Sequence, residues 1–278
     1  MKLLVTGGNG QVGKALRSIL PDATYTDVKE LDITDGSAVN AIDWSEYDGV
    51  VNAAAFTAVD KAEEMVEAAW RINVLGPALL ADATKRAGIP MVHISSDYVY
   101  DGKSETHTED ELLQPLSIYG ASKAAGDIAA SQNSAHYIVR TSWVVGDGPN
   151  FVRTMLELGK TKNELTIVND QIGRLTFADD LAQAIKHLLE TKPKYGTYHM
   201  SNTGDAASWA EIAREVFACA DMKISVHETT TEQYAEGRSP FATRPHYSTL
   251  NLDKITAAGF EARNWKDALR TYIEKELA

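Results

Sequence analysis

The sequence holds one cysteine, Cys219. That excludes an intrachain disulfide and any cysteine-built metal site, and it suits a reducing compartment. Long apolar runs are missing as well. None approaches the roughly 18 residues that span a bilayer, and the opening MKLLVTGG meets glycines before a signal-peptide core could form. It reads as the first strand of a mature cytoplasmic protein. Basic charge is in deficit: 27 Lys and Arg against 39 Asp and Glu leave a net charge of −12. That balance has the wrong sign for a nucleic-acid binder, although a local basic pocket can hide inside it. The seven histidines never fall at H-x-x-x-H or H-E-x-x-H spacing, so no metal site is expected. A G-x-S-x-G elbow, the mark of an α/β-hydrolase, is also absent.

What is present is an ordinary globular composition, 278 residues with 44% hydrophobic and 24% charged, enough for a full core. Short apolar runs alternate with helical patterns through residue 140. Strands are expected at Lys2–Thr6, Ala23–Asp27, Val50–Ala54, Pro90–Ser95 and Tyr137–Arg140, and helices at Gln11–Leu20 and Glu63–Arg86. This rhythm implies right-handed βαβ units and a doubly wound parallel sheet of the α/β class. After Gly146-Asp147-Gly148-Pro149 the rhythm changes. Helices are expected at Phe151–Leu158, Asp179–Leu189, Trp209–Ala220 and Trp265–Leu277, with a strand at Leu165–Val168. The stretch Thr229–Pro245 reads as a surface region folding over something. No linker is evident. Residues 1–145 are therefore expected to form mainly a nucleotide-binding domain, and 146–278 mainly a smaller, interleaved substrate lobe with segments returning to the sheet.

Gly7, Gly10 and Gly13 are spaced three apart where the first strand ends and the first helix begins. A turn there needs angles that glycine tolerates, and an anion such as a pyrophosphate needs close approach to a helix N-terminus. The last glycine lets helix and strand pack closely. Asp27, twenty residues after Gly7, is placed to accept hydrogen bonds from an adenosine ribose and to repel a 2′-phosphate, which leans the cofactor toward NADH. A solvated turn aspartate is an equal reading. Ala53, Ala54 and Ala55, after Asn52, leave room for a flat cofactor or simply for helix packing.

Tyr119 and Lys123 stand four apart at the start of a helical pattern and share one helix face. A tyrosine near its ordinary pKa of about 10 is a poor base at neutral pH, and an adjacent ammonium is expected to lower that value. Ser96 and Asp97 follow a strand end upstream.

Together, the glycine loop, Ser96, Tyr119 and Lys123 resemble the extended short-chain dehydrogenases/reductases, a Rossmann-fold family. More narrowly the chain is similar to the dTDP-4-dehydrorhamnose reductase family. The matching stretches are Thr6–Gly13, Leu31–Asp35, NAAAFTAVDKAE (52–63), SSDYVYDG (95–102), Tyr119–Lys123, RTSWVVG (140–146), NFVRTML (150–156), NDQIG (169–173), and Arg244-Pro245 with Ser248 and Leu250. The resemblance implies NAD(P)H-dependent reduction of the C4 ketone of a nucleotide-linked deoxy sugar. Tyr119 would be the proton donor, Lys123 would hold the nicotinamide ribose, and Ser96 would bind the ketone. Gly10, Gln11 and Val12 would meet the pyrophosphate, Asp32 and Ile33 the adenine, and Ala55, Phe56 and Thr57 would border the cofactor. Asp97, Tyr98 and Trp143 would line the sugar pocket. Asn73 would be a buried structural asparagine. Arg174 stands in Gly173-Arg174-Leu175-Thr176, where the family usually has Pro-Thr; it could meet a nucleotide phosphate or be a surface charge, and Arg244 would also bind the substrate. Tyr98 replaces the glutamate that related dehydratases use, which disfavours dehydration. The family admits Mg2+ and a homodimer, with no ligand set for the ion in the sequence. A nucleotide-sugar substrate is expected, without nucleic acid or membrane. A nucleotide-sugar epimerase and a non-catalytic module like the methionine adenosyltransferase regulatory subunit are the alternatives.

Overall fold

The computed structural model describes residues 1–278. Six strands form the main sheet: β1 (Leu3–Thr6), β2 (Thr24–Thr26), β3 (Gly49–Asn52), β4 (Met91–Ser96), β5 (His136–Thr141) and β6 (Gly196–His199). The longer helices are α1 (Gln11–Ile19), α2 (Gly76–Ala87), α3 (Ile118–Ala130), α4 (Phe151–Gly159), α5 (Ala178–Thr191), α6 (Trp209–Cys219) and α7 (Trp265–Leu277).

All the pairings in the sheet are parallel, in the order β2-β1-β3-β4-β5-β6. The chain leaves β1 toward β2 and then returns to place β3 on the other side of β1. The direction therefore reverses between β1 and β3, and a crevice opens at their carboxyl ends, where ligands of such sheets collect. The pleat sends Leu3 and Val5 to one face and Leu4 to the other. The first face packs on α1 and α5 through Leu16, Leu181, Ile185 and Leu188. The second packs on α2 through Leu80 and Ala83. A separate core joins α4, α6 and α7 through Val152, Leu156, Phe217, Trp265 and Leu269.

Two expectations need correction. The helix read over Glu63–Arg86 is a separate turn at Val59–Ala62, then a helix from Val66 whose middle, Arg71–Leu75, widens into π-helical geometry before α2. Pro77 explains the widening. It has no N–H to give to the carbonyl of Asn73, four residues earlier. The other correction is β6, which lay unrecognised beyond residue 190. It pairs with β5 (Arg140 opposite His199) and extends the sheet with a strand from the second half of the chain.

Candidate functional site

The crevice holds a cavity of about 640 Å³. On one side is the glycine loop. Gly7 has φ +68°, and a Cβ there would lie 2.6 Å from the Ala53 backbone carbon. The Gly10 N–H donates to the Gly7 carbonyl (3.1 Å), and Gly10 precedes α1 without any side chain capping the helix. The first N–H groups of α1 thus remain available to an anion. Gly10, Gln11 and Val12 line the cavity. Gly13 does not. A Cβ on it would sit 2.3 Å from the Gly7 carbonyl oxygen, so its part is to let α1 close on the loop. The Gln11 side chain accepts from the Gly146 N–H (2.8 Å) and ties α1 to the turn after β5.

Asp27, Asp32, Ile33, Ala53, Ala54, Ala55 and Thr57 also line the cavity. The Asp27 carboxylate accepts from the Asn9 N–H (3.1 Å) and the Val28 N–H (2.9 Å), bracing the glycine loop. Asp32 accepts from the N–H and hydroxyl of Thr34, both at 2.8 Å.

Catalytic candidates gather opposite. Ser117 caps α3 by accepting from the Gly120 N–H, which fixes the first turn that carries Tyr119. Asn73 braces the same helix: its amide donates to Ser122 Oγ (2.9 Å) and grips both backbone groups of Phe56 (2.8 and 3.1 Å). Tyr119 and Lys123 both line the cavity, with Ser96, Asp97 and Tyr98 beside them. Ser96 favours the ionised form of Tyr119, against the effect of burial. It also donates to Asp97 Oδ1 (3.0 Å) and accepts from the Tyr98 N–H (3.2 Å). Tyr98 meets Tyr119 edge-on, ring centres 5.3 Å apart.

The electrostatics differ from the sequence reading. Burial pushes the Tyr119 phenol up to about 12, partly offset by Ser96. Lys123 does not lower it. The Lys123 ammonium is itself desolvated, down to about 8, and donates to the Ile94 carbonyl (2.7 Å). Burial also raises Asp97 to about 6, and its Oδ2 lacks a hydrogen-bond partner.

Trp143 holds φ +48°, a strained setting for a bulky residue and one that clusters at functional sites. Its indole stacks on Trp209 with ring centres 3.7 Å apart. Both indoles line the cavity. Trp209 was missed as a site residue. It opens α6 behind the Ser208–Glu211 capping box, so its helix was legible and its neighbour was not. Thr34, Ile72, Thr141, Ser142 and Pro149 are further lining residues to which the sequence reading gave no role.

The two arginines read as substrate ligands lie outside the cavity wall. Arg174 donates to the Leu250 carbonyl. Arg244 donates to Asp60 Oδ2 (2.9 Å) and to the Ala242 carbonyl (2.7 Å). No group of three or more His, Cys, Asp or Glu side chains is arranged to hold a metal ion, and no helix is long and apolar enough to cross a membrane.

A family model described as the RmlD substrate binding domain matches residues 1–278. The spore coat polysaccharide biosynthesis protein SpsK of Bacillus subtilis (strain 168) is 40% identical, over 99% of this chain and 97% of its own. A dTDP-4-dehydrorhamnose reductase of Aggregatibacter actinomycetemcomitans is 38% identical, over 98% of this chain and 99% of its own. Among solved structures, the dTDP-4-dehydrorhamnose reductase of Bacillus anthracis str. Ames in complex with NADP superposes with a TM-score of 0.93 at 38% identity, covering 99% of each chain. With the uncapped helix, the glycine loop and the Ser96–Tyr119–Lys123 cluster in one crevice, these full-length matches show that the chain belongs to the RmlD substrate-binding-domain family, that of the dTDP-4-dehydrorhamnose reductases.

Proposed function

We propose that the protein reduces the C4 ketone of a nucleotide-linked deoxy sugar, dTDP-4-dehydro-L-rhamnose to dTDP-L-rhamnose, with NADH or NADPH. The observation that carries this reading is the meeting of Tyr119, Ser96 and Lys123 across one cavity from an uncapped helix N-terminus.

The residues present suit a nicotinamide dinucleotide. The Gly7–Gly13 loop and the free N–H groups of α1 would take its pyrophosphate, Asp27 and Asp32 its adenosine side, and Ala53–Thr57 its flank. Lys123 would hold the nicotinamide ribose. When bound, the cofactor supplies the hydride. Tyr119 supplies the proton to the C4 oxygen. Its raised pKa keeps it protonated at neutral pH, the state an acid requires. Ser96 hydrogen-bonds the ketone and holds Tyr119 in line. Asp97, Tyr98 and the Trp143–Trp209 pair form the sugar side of the cavity. Residues 1–145 would serve mainly the cofactor, and 146–278 mainly the sugar nucleotide.

Replacing Tyr119 by Phe removes one hydroxyl and little volume. The expected loss is about 10²- to 10⁴-fold in turnover, with cofactor binding nearly intact. Full activity in Tyr119→Phe would remove the proposed acid. Stoichiometric consumption of NADPH separates the reductase from an epimerase, which consumes none.

A further inference from the structure

The segment that begins at NDQIG (169–173) touches both indoles of the Trp143–Trp209 pair. Ile172–Gly173 forms a short antiparallel pair with Ala207–Ser208, and Ser208 stands opposite Ile172. Continuing that register by one residue sets Trp209 opposite Gln171. There the Trp209 Nε1–H donates to Gln171 Oε1 (3.2 Å). Gln171 is 8% exposed. Its Nε2 donates to the Thr231 hydroxyl (2.9 Å), which in turn donates to Asp170 Oδ1 (2.6 Å). Both ends of the amide are engaged, and turning it over would set its N–H groups against the indole N–H. Phe151 packs on the Trp209 ring, centres 4.5 Å apart.

Trp143 is attached to the same segment a few residues on. Its carbonyl accepts from the Thr176 N–H (3.1 Å), just before Val144–Val145 pairs in parallel with Thr176–Phe177. Gly173 makes room for its ring: a Cβ there would lie 3.0 Å from Trp143 Cζ2. The Trp143 backbone stays in the left-handed region (φ +48°), a setting that persists only where surrounding contacts impose it. Its ring lies on that of Trp209, the two planes inclined by 21°. Trp209 is therefore the surface on which the strained residue rests.

We propose that Trp209, fixed by Gln171, is a positioning residue: it holds the Trp143 indole as a wall of the sugar subsite. This rests on the reading of the cavity as the site of a nucleotide-linked deoxy sugar. A deoxy sugar carries an apolar C–H face, and a broad flat ring with a polar edge matches such a face. The match is lost if the ring tilts, and the Trp143 backbone is free to relax once Trp209 moves away. Gln171 has no place in the cavity wall, so its effect on Trp143 passes through Trp209.

The test uses the full chain and begins without substrate. Two indoles stacked at 3.7 Å couple their transitions and give a split band in far-ultraviolet circular dichroism. Trp143→Phe should abolish the band, which assigns it. Gln171→Met keeps the length of the side chain and removes both of its hydrogen bonds. It should weaken the band and raise KM for dTDP-4-dehydro-L-rhamnose about tenfold, more than it lowers kcat. The NADPH dissociation constant should stay at the parent's value. Trp209→Leu should raise KM as well, and Trp209→Phe, which keeps a ring to stack on, should recover most of the loss. In a Trp143→Ala background, Trp209→Leu should add nothing, because the ring it acts through is gone. If Trp143→Phe keeps the band, or Gln171→Met gives no cooperative melt, that cycle decides the question. A full band in Gln171→Met, a weakened band with KM unchanged, or KM effects of Trp143→Ala and Trp209→Leu that simply add would each overturn the inference and leave the reductase reading standing. A parent that reduces no nucleotide-linked keto sugar overturns that reading, and the sugar wall with it.

Discussion

At the scale of single residues, burial sets the protonation states of this site. Tyr119 becomes a weaker acid, Lys123 a weaker base and Asp97 a reluctant carboxylate, each because its charged form has lost water. Asp97 has a consequence for stability. Its pKa rises from 3.8 to about 6 on folding. Below 3.8 both the folded and unfolded forms are protonated, and burial exacts nothing. As pH climbs through 6, the folded protein must ionise a desolvated group, and stability falls by about 3 kcal/mol in all. Asp97→Asn keeps an oxygen for the Ser96 hydroxyl and cannot ionise. It should melt several degrees above the parent in mildly alkaline buffer, with the gap closing in acid below the unfolded pKa. A gap of equal size at both pH values would mean that Asp97 carries no buried charge.

At the scale of elements, what the sequence made legible was local. The Gly7-x-x-Gly10-x-x-Gly13 turn and the Tyr119–Lys123 face each lie within one turn or one helix, so spacing alone placed them. Contacts made across the chain stayed hidden: the Trp143–Trp209 stack, the pairing of β6 with β5, and the guanidiniums of Arg174 and Arg244, drawn to Leu250 and Asp60 and away from the cavity. The Arg71–Leu75 widening had a visible cause in Pro77 and a use that was not visible. It frees the Asn73 carbonyl, and α3 packs onto it at Gly126, where a Cβ would come within 2.2 Å of that oxygen. Two effects oppose each other in Gly126→Ala. Alanine favours a helix interior by about 1 kcal/mol. A backbone oxygen that close must move, with its helix, and overpacking of this kind costs about 1–3 kcal/mol. The second effect should win, because a backbone carbonyl has no rotamer into which to retreat. Calorimetry should find Gly126→Ala less stable than the parent, and turnover should fall with it, since Tyr119 and Lys123 ride on the displaced helix. A variant as stable as the parent would mean that α3 has slack at this contact.

At the scale of the whole molecule, the second half of the chain is bound into the first. β6 extends the sheet and α5 covers one face of it. The turn after β5 is tied to α1 by the Gln11–Gly146 bond and the Lys14–Asp147 pair (3.0 Å). Across the mouth of the crevice the join is narrower. Asp60, in the short turn beside the cavity-lining Val59, accepts from the Ala242 N–H (2.9 Å) and from Arg244 (2.9 Å). The stretch expected to fold over something thus reaches the Val59–Ala62 turn through one carboxylate. Arg244→Ala cuts the charged half of that contact. Because Asp60 is 39% exposed, solvent screens the pair, and the loss should stay near 1–2 kcal/mol, roughly a tenfold effect on an equilibrium. On the proposed division of labour that loss falls on the sugar-nucleotide side. KM for the keto sugar should rise about tenfold. The rise in melting temperature that NADPH gives at 100 times its dissociation constant, worth about 2.7 kcal/mol, should match the parent's. If Arg244→Ala instead erases the cofactor's thermal shift and spares KM, the strap serves the dinucleotide, and the assignment of the second half to the sugar nucleotide is wrong.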